Sequence, residues 1–368
     1  MSEKLIVGMA QGDINGVGSE ILVKLLADNK MCEVCTPLVI GSPKVLGYYK
    51  KSIESEEEPV NLVTNLIQKP EDASDKRTNV INCFGDEVRV DPGIETKVSD
   101  ECAMLALKQG LDYIDNNRID VLVTAPIGDY AYDLERATSL IHYLAVRYES
   151  DYLLPLYVGE HMKLAFITSG KSVKDSLSQL TIPNIIKRLK MIKRAMERDF
   201  GMDKPKIAVL ALNASTGDGI FGDEEERIIK PAIEQAREEN IFAVGPYAAD
   251  RFFSEKMYEK FDVVLALHND QGMIPFKSVE GNSGVISIAG LPCVLTTPVH
   301  GVAYDIVDKG CADTQGVANA IYLAIDIYKA REEYAELTKN PLKRYDVGGD
   351  KRESDLNVEQ IAGVSENH

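Results

Sequence analysis

The sequence predicts an α/β protein in which helices and a sheet form alternating layers. Ten short apolar runs, several of them nearly continuous, are typical of strands buried on both faces of a sheet. Between them lie five longer segments whose apolar residues recur at helical spacing. The alternation of these two patterns along most of the chain favours this fold class.

Each predicted element follows from its own pattern. The predicted strands are residues 5–10, 37–41, 80–83, 121–126, 155–158, 164–169, 207–212, 263–267, 284–288 and 294–297. The predicted helices are residues 18–29, 99–116, 183–200, 224–240 and 313–329. Acidic side chains near two helix starts, Asp100 and the run 223–226, suit the positive end of a helix dipole.

Length and charge limit the function classes. The chain has 368 residues, which predicts two to three domains at roughly 150 residues each. Its 41 basic and 58 acidic side chains give a net charge of −17, so nucleic acid is not an expected partner, since binding it usually needs a basic face. No apolar run reaches about 18 residues, and the N-terminus has no signal pattern, so no membrane partner is expected either.

The cysteines point to a reducing compartment. Six cysteines are sparse for this length and do not suggest a disulfide framework. Cys32 and Cys35 form a Cys-x-x-Cys pair ahead of a predicted strand, with no second such pair in the sequence. We expect a buried or half-buried structural pair rather than a redox or zinc site, in a cytoplasmic protein.

Two polar segments interrupt the pattern, and one predicted helix is basic. Residues 50–77 are acidic and weakly periodic and are interpreted as a solvated excursion, and residues from about 339 onward as a loosely ordered tail. A basic helix over residues 181–200 can hold an anionic partner, but a solvated face beside an apolar stripe is favoured. Its basic residues are Lys187, Arg188, Lys190, Lys193 and Arg194.

Four predicted strands end in small polar residues and glycines. The segments are residues 12–20 and 299–305, which follow strands, and 207–222 and 263–272, which include them. Ligands of open α/β sheets bind beyond the carboxyl ends of strands, so these segments predict a cleft. The glycine turn at 12–18 could hold an anion on backbone N–H groups or be a plain tight turn.

Histidine is scarce, and no two of the five histidines have the i, i+4 spacing of a local metal site. His142 is flanked by apolar residues, and spacing alone favours a buried histidine with satisfied hydrogen bonds. His300, directly before Gly301, could act in a site or bond to the backbone of a turn.

Six segments stand out along the chain. They read, in order, Gly12-Asp-Ile-Asn-Gly-Val-Gly-Ser-Glu, Val123-Thr-Ala-Pro-Ile, Gly245-Pro-Tyr-Ala-Ala-Asp, Asp270-Gln-Gly, Ala289-Gly-Leu-Pro and His300-Gly-Val-Ala-Tyr-Asp. As an ordered set they are highly specific. With them the chain resembles the 4-hydroxythreonine-4-phosphate dehydrogenase family over about residues 5–330.

The resemblance implies a two-domain α/β/α architecture related to isocitrate and isopropylmalate dehydrogenases, with a cleft between the domains. It implies a first domain of residues 1–128 and 296–335, a second domain of 129–295 with a homodimer interface, and a polar tail of 336–368. The family oxidises 4-phosphohydroxy-L-threonine with NAD and then releases CO2, in vitamin B6 synthesis. A divalent metal held by three histidines acts there as a Lewis acid.

The family's three metal-binding positions do not hold histidine in this chain. They correspond to Gly170, Ser215 and Asn269, so a divalent metal is not expected. His268 lies one residue out of register with the third position, which on a strand would turn it to the opposite face. It is the one candidate substitute ligand.

The substrate site that the resemblance implies is only partly retained. His142 and Lys277 match substrate-binding positions, whereas the family's later asparagine and arginine positions hold Ile286 and Leu295. Losing that polar pair removes donors for an anion and makes the pocket drier. The further cleft candidates are Asp250, Asp270 and His300.

Two functions of different class follow. The chain is either a NAD-dependent dehydrogenase with an unusual or metal-free site, or a non-catalytic relative. The second would bind a less charged small molecule, or regulate an active relative in a mixed dimer. For the first, simple hydride transfer needs only a base, and Lys277, Asp270 or His142 could serve. A purely structural dimer would explain the lost histidines but not the retained cleft carboxylates.

Overall fold

The computed structural model describes residues 4–55, 59–85, 88–168, 173–214 and 222–340. Its strands are β1 (Ile6–Ala10), β2 (Thr36–Gly41), β3 (Thr64–Leu66), β4 (Thr78–Asn82), β5 (Val121–Thr124), β6 (Leu154–Val158), β7 (Lys163–Phe166), β8 (Ile207–Leu210), β9 (Ala243–Tyr247), β10 (Val263–Ala266), β11 (Val285–Ala289) and β12 (Leu295–Pro298). Its α-helices are α1 (Gly18–Leu26), α2 (Pro43–Ile53), α3 (Lys97–Asp115), α4 (Leu140–Arg147), α5 (Val173–Ser178), α6 (Ile182–Phe200), α7 (Lys230–Glu238), α8 (Ala249–Ser254), α9 (Asn269–Glu280) and α10 (Gln315–Thr338).

The strands form one sheet in the order β3-β4-β2-β1-β5-β12-β11-β6-β7-β10-β8-β9. The first six strands in this order run parallel to one another. β11 and β6 pair antiparallel with both of their neighbours. The last four strands are again parallel to one another but run opposite to the first six. The predicted α/β fold class is therefore confirmed, with a change of direction in the middle of the sheet.

Most predicted elements are confirmed, and the exceptions have physical reasons. All ten predicted strands overlap observed ones, but β3 and β9 are additional. β3 lies inside the segment 50–77, and Leu62 and Ile67 of this segment are buried, so the interpretation of the segment as a solvated excursion is only partly correct. β9 contains Gly245-Pro246, which sequence reasoning treats as a strand breaker. The helices α2, α4, α5, α8 and α9 are additional too. Of these, α9 was missed because Pro275 lies inside it and proline normally ends a helix.

The apolar interior forms three clusters. One lies around the first six strands with α1, α3 and α10. In the other half, alternate side chains of a strand face opposite sides of the sheet. Val209 packs in a cluster under α6 and α7, whereas its neighbours Ala208 and Leu210 pack in a cluster under α8 and α9. α6 and α9 therefore cover opposite faces of the sheet.

The predicted domain limits, 1–128 with 296–335 and 129–295, stay a prediction. Tyr143 and Leu144 of α4 pack in the cluster of the first half. α10 continues to Thr338, so the first residues of the segment 336–368 are helical, and residues 341–368 lie outside the described part.

The Cys32–Cys35 pair is buried, as predicted for a structural pair. Burial raises the pKa of the Cys35 thiol to about 12, which keeps it protonated and unreactive. Among the described helices, none is both long and apolar enough to cross a membrane.

Candidate functional site

The candidate site residues lie towards the two ends of α9. Its first turn follows β10 and carries Asn269 and Asp270, both exposed. Its last turns carry Lys277, which is also exposed. At 1.5 Å of rise per residue, Asp270 and Lys277 are roughly 10 Å apart along the helix axis. The two candidate catalytic groups are therefore about two helical turns apart, on the same face of α9.

Hydrogen bonds from side chains fix the strand ends beside the first turn of α9. Gln271 donates to the Ala211 carbonyl (2.6 Å) and accepts from the Leu267 amide (2.9 Å). The buried Glu225 accepts from the backbone and side-chain amides of Asn213. Burial alone would raise the pKa of Glu225, but these hydrogen bonds outweigh it and hold the pKa below its ordinary value. The ends of β8 and β10 are thus held together.

Near the other end of α9, Lys277 lies close to His300, which follows β12. His300 Nδ1 is 3.0 Å from the Gly301 carbonyl oxygen; because a carbonyl only accepts, Nδ1 carries the proton. Nε2 is buried without a partner among the described residues and faces Gly316, where a Cβ would lie 3.2 Å away. Burial lowers the pKa of His300, Lys277 lowers it further, and Gly301 and Asp313 oppose the shift. The imidazole is therefore neutral at pH 7.

Two further sequence candidates are exposed. His142 lies in α4, where its Nδ1 accepts from the Thr138 amide at 3.2 Å. The interpretation from spacing, a buried core histidine, is therefore wrong, because α4 is short and turns this side outward. Asp250 is exposed in the first turn of α8, which follows β9. The carboxyl ends of β9 and β10 lie at the same edge of the sheet, and so do Asp250 and Asp270.

The glycine turn after β1 is closed by the protein itself. A Cβ on Gly12 (φ +71°) would lie 2.4 Å from the Pro126 carbonyl oxygen. One on Gly16 would lie 2.8 Å from the Val302 carbonyl oxygen. These glycines therefore allow segments of the chain to approach each other. Of the two interpretations, the structure supports a tight turn, because the backbone N–H groups of Asp13, Gly16 and Val17 already donate to backbone carbonyls of the protein.

The structure shows a carboxylate cluster near the end of β1 that was not predicted from the sequence. The buried Asp13 accepts from the Tyr304 hydroxyl at 2.5 Å. Glu95 Oε1 and Asp100 Oδ1 both lie beside Gly128 and have no hydrogen-bond partner in the described part of the chain. Burial raises the pKa of all three acids, and that of Asp100 reaches about 6 with the help of the charges on Glu95 and Asp13. Only the folded chain brings these three residues together.

We expect the substitution Asp100→Asn to stabilise the protein at neutral pH. The folded pKa of Asp100, about 6, exceeds the ordinary value of 3.8. Ionisation therefore costs stability, and the cost grows as pH rises from about 4 to 6. Asp100→Asn should raise the free energy of unfolding by about 1 kcal/mol at pH 7.5 and change it little at pH 4. Urea unfolding at both pH values measures this, with the exposed Asp203→Asn as control. Equal effects at both pH values would contradict the prediction.

Comparison with known proteins identifies the family. The profile described as "Pyridoxal phosphate biosynthetic protein PdxA" matches residues 33–324. The chain belongs to the PdxA family. It is 36% identical to a 4-hydroxythreonine-4-phosphate dehydrogenase of Bacteroides thetaiotaomicron over 345 residues, which is 93% of each chain. A second enzyme of that name, from Desulfosudis oleivorans, is 32% identical over 89% of this chain and 97% of its own.

Solved structures of the PdxA family share the fold. A crystal structure of 4-hydroxythreonine-4-phosphate dehydrogenase from Klebsiella pneumoniae superposes with a TM-score of 0.74 at 27% identity. The match covers 89% of this chain and 100% of that one. The family expected from the sequence motifs is therefore confirmed, and with it the architecture related to isocitrate and isopropylmalate dehydrogenases.

The residues that the sequence resemblance matches to the family's metal positions are poor ligands for a divalent cation. Gly170 and Ser215 lie outside the described residues, but glycine has no side-chain donor and serine only a neutral hydroxyl. Asn269 offers only an amide, and His268 Nδ1 has no partner among the described residues. In that part of the chain no group of three His, Cys, Asp or Glu side chains could hold a metal. This donor set is poor for transition metals, which prefer imidazole, thiolate and carboxylate.

Two positions that the sequence resemblance assigns to the substrate site lie in the apolar interior. Leu295 is 1% exposed within the cluster of the first half, and Ile286 packs against that cluster. Neither side chain can donate a hydrogen bond to an anion. Lys277 thus remains the charged residue among the matched substrate positions of the described chain.

Proposed function

We propose that the protein is a PdxA-type oxidoreductase that oxidises a small hydroxy acid with NAD, without the family's metal-dependent decarboxylation. The observation that supports this most directly is the exposed ammonium group of Lys277. It makes no hydrogen bond or ion pair within the described residues, and it lies beside the neutral His300 after β12. We further propose a cytoplasmic homodimer.

The residues of this chain would act through charge and position. Lys277 binds the carboxylate or phosphate of the substrate as a point charge. Asp270, near the opposite end of α9, is the proposed acceptor of the hydroxyl proton. NAD, when bound, would supply the hydride acceptor, and no residue is assigned to hold it because the glycine turn is closed. His300 is not assigned as the base, because its free nitrogen is buried against Gly316.

A second candidate function is a non-catalytic relative. The burial of Leu295 in the apolar interior favours it, because a pocket without that anion donor suits a less charged ligand. Such a protein would bind a small molecule, or pair with an active relative in a mixed dimer and regulate it.

The decisive experiment follows NADH absorbance with 4-phosphohydroxy-L-threonine and NAD, once with EDTA and once with Mg²⁺, Mn²⁺, Co²⁺ or Zn²⁺. We expect turnover in EDTA that added metals change less than about twofold. In Lys277→Met we expect kcat/KM to fall by about tenfold or more, which corresponds to about 1.4 kcal/mol or more. The exposed Lys260→Met is the control.

The other outcomes are equally informative. Turnover that requires a metal would overturn the proposal and direct attention to His268 as a recruited ligand. Absence of turnover under every condition, with ligand binding that Lys277→Met abolishes, would establish the non-catalytic alternative.

A further inference from the structure

A cavity of about 620 Å³ opens beside α6, away from both ends of α9. Its walls come from α6, α7, the start of β6 and the turn after β11. α6 and α9 cover opposite faces of the sheet, and neither Asp270 nor Lys277 lines the cavity. It is therefore separate from the candidate functional site.

One row of cations lines this cavity. Lys187, Lys190, Arg194 and Arg198 all face it, at spacings of three, four and four residues. Such a spacing places side chains on one face of a helix, and the row extends over roughly 16 Å. The interpretation of this segment as a plain solvated face is therefore incomplete: its apolar stripe is buried as predicted, but three of the five basic residues noted from the sequence line a cavity.

Two of the four cations have an acidic partner within the protein. Lys190 pairs with Glu239 at 2.5 Å, and Arg198 pairs with Asp199 at 3.0 Å. These pairs leave an excess of two positive charges in the cavity wall, on a chain whose net charge is −17.

The other two cations are available to a ligand. Arg194 is exposed and makes no hydrogen bond or ion pair with any residue in the described ranges. Lys187 Nζ lies 4.5 Å from the centre of the Tyr152 ring, a cation–π contact that leaves its N–H donors free. Guanidinium and ammonium groups side by side are a common arrangement for binding phosphate.

Most of the remaining wall is apolar. Ile182, Ile186, Met191 and Leu154 line it, and the ring of the exposed Tyr152 stands at its edge. A flat hydrophobic group would bury area against these side chains and stack on the tyrosine ring. The size is within the usual range for small-molecule sites, about 300–1,000 Å³.

We propose that this cavity is a binding site for an aromatic phosphate. The phosphate group of the ligand contacts Arg194 and Lys187, and the aromatic ring of the ligand lies against Tyr152 and the apolar wall. A free phosphate ion has no group to occupy that wall, so it binds more weakly than the ester.

Isothermal titration calorimetry with 1-naphthyl phosphate tests the site on the full chain. We expect binding in the micromolar range that weakens about tenfold or more in the double variant Lys187→Gln/Arg194→Gln. The single variant Arg194→Gln should give a smaller loss and serves if the double variant folds poorly. Arg251→Gln, which removes one exposed positive charge from α8, should bind as the parent does. Inorganic phosphate and 1-naphthol should each bind at least tenfold more weakly than the ester.

Three results would overturn the proposal. They are no binding of the ester to the parent protein, equal affinity in the parent and the double variant, and equal affinity for inorganic phosphate and the ester. None of them bears on NADH formation, so this proposal and the proposed function can fail independently.

Discussion

Replacing Asp199 by alanine is expected to lower the free energy of unfolding by about 3–5 kcal/mol, because it leaves two partly buried guanidinium groups without their counter-charge. The Asp199 side chain is 2% exposed and accepts from Arg331 Nε at 2.7 Å and from Arg198 Nε at 3.0 Å. Both arginines also donate to the Leu291 carbonyl. The network joins α6, α10 and the turn after β11. Its loss therefore weakens the packing between the two halves of the sheet and their helices.

The measurement is urea unfolding followed by circular dichroism. Glu197→Ala is the matched control, since it removes a neighbouring acid of α6 whose i, i+4 contact with Lys193 (3.6 Å) is partly exposed. That contact should contribute about 0.3–0.5 kcal/mol. A loss below about 1 kcal/mol in Asp199→Ala would show that water or a rearranged acid replaces the carboxylate.

Glu280→Gln is expected to destabilise the protein by about 2–4 kcal/mol, the range for losing charge-assisted hydrogen bonds at a buried acceptor. The Glu280 carboxylate accepts from the backbone amides of Glu160 (3.0 Å), His161 (2.8 Å) and Met162 (3.1 Å). An amide has a single acceptor oxygen, and its NH2 group would face a backbone donor. The turn between β6 and β7 would lose its attachment to α9.

Thermal unfolding of Glu280→Gln compared with Glu160→Gln isolates this effect. Glu160 lies in the same turn, its side chain is exposed, and only its backbone amide takes part. Similar midpoints for the two variants would mean that the carboxylate is dispensable. Because Lys277 lies one turn before Glu280, Glu280→Gln should also weaken ligand binding if Lys277 binds the substrate.

The fold could be predicted further than the site because its signals are local. Buried strands and amphipathic helices leave continuous or periodic apolar patterns within ten to twenty residues, and these gave the ten strands and five helices correctly. β9 and α9 were missed because a proline opposes the local propensity, and tertiary packing decided instead. Phe276, for example, is fully buried against the sheet although it follows Pro275 directly.

The candidate site shows the opposite balance. The ends of the predicted strands indicated where polar residues gather. They did not indicate which of these residues contact one another in the folded chain. Asp13, Glu95 and Asp100 come from separate segments, and Asp199 meets Arg331 across 132 positions of sequence. No periodicity encodes such contacts. The resemblance to the PdxA family suggested Lys277 as a substrate-binding residue, which stays a prediction. The exposure of His142 and the burial of His300 Nε2 became known only from the structure.

The two edge strands of the sheet affect how readily the protein aggregates at high concentration. A row of unpaired N–H and C=O groups at a sheet edge can recruit strands from other molecules and start fibril growth. Here one edge strand, β3, has only three residues. The other, β9, contains Pro246, which has no N–H to offer a docking strand. Both borders of this wide sheet are therefore poor templates, and we expect the native protein to resist amyloid-like growth.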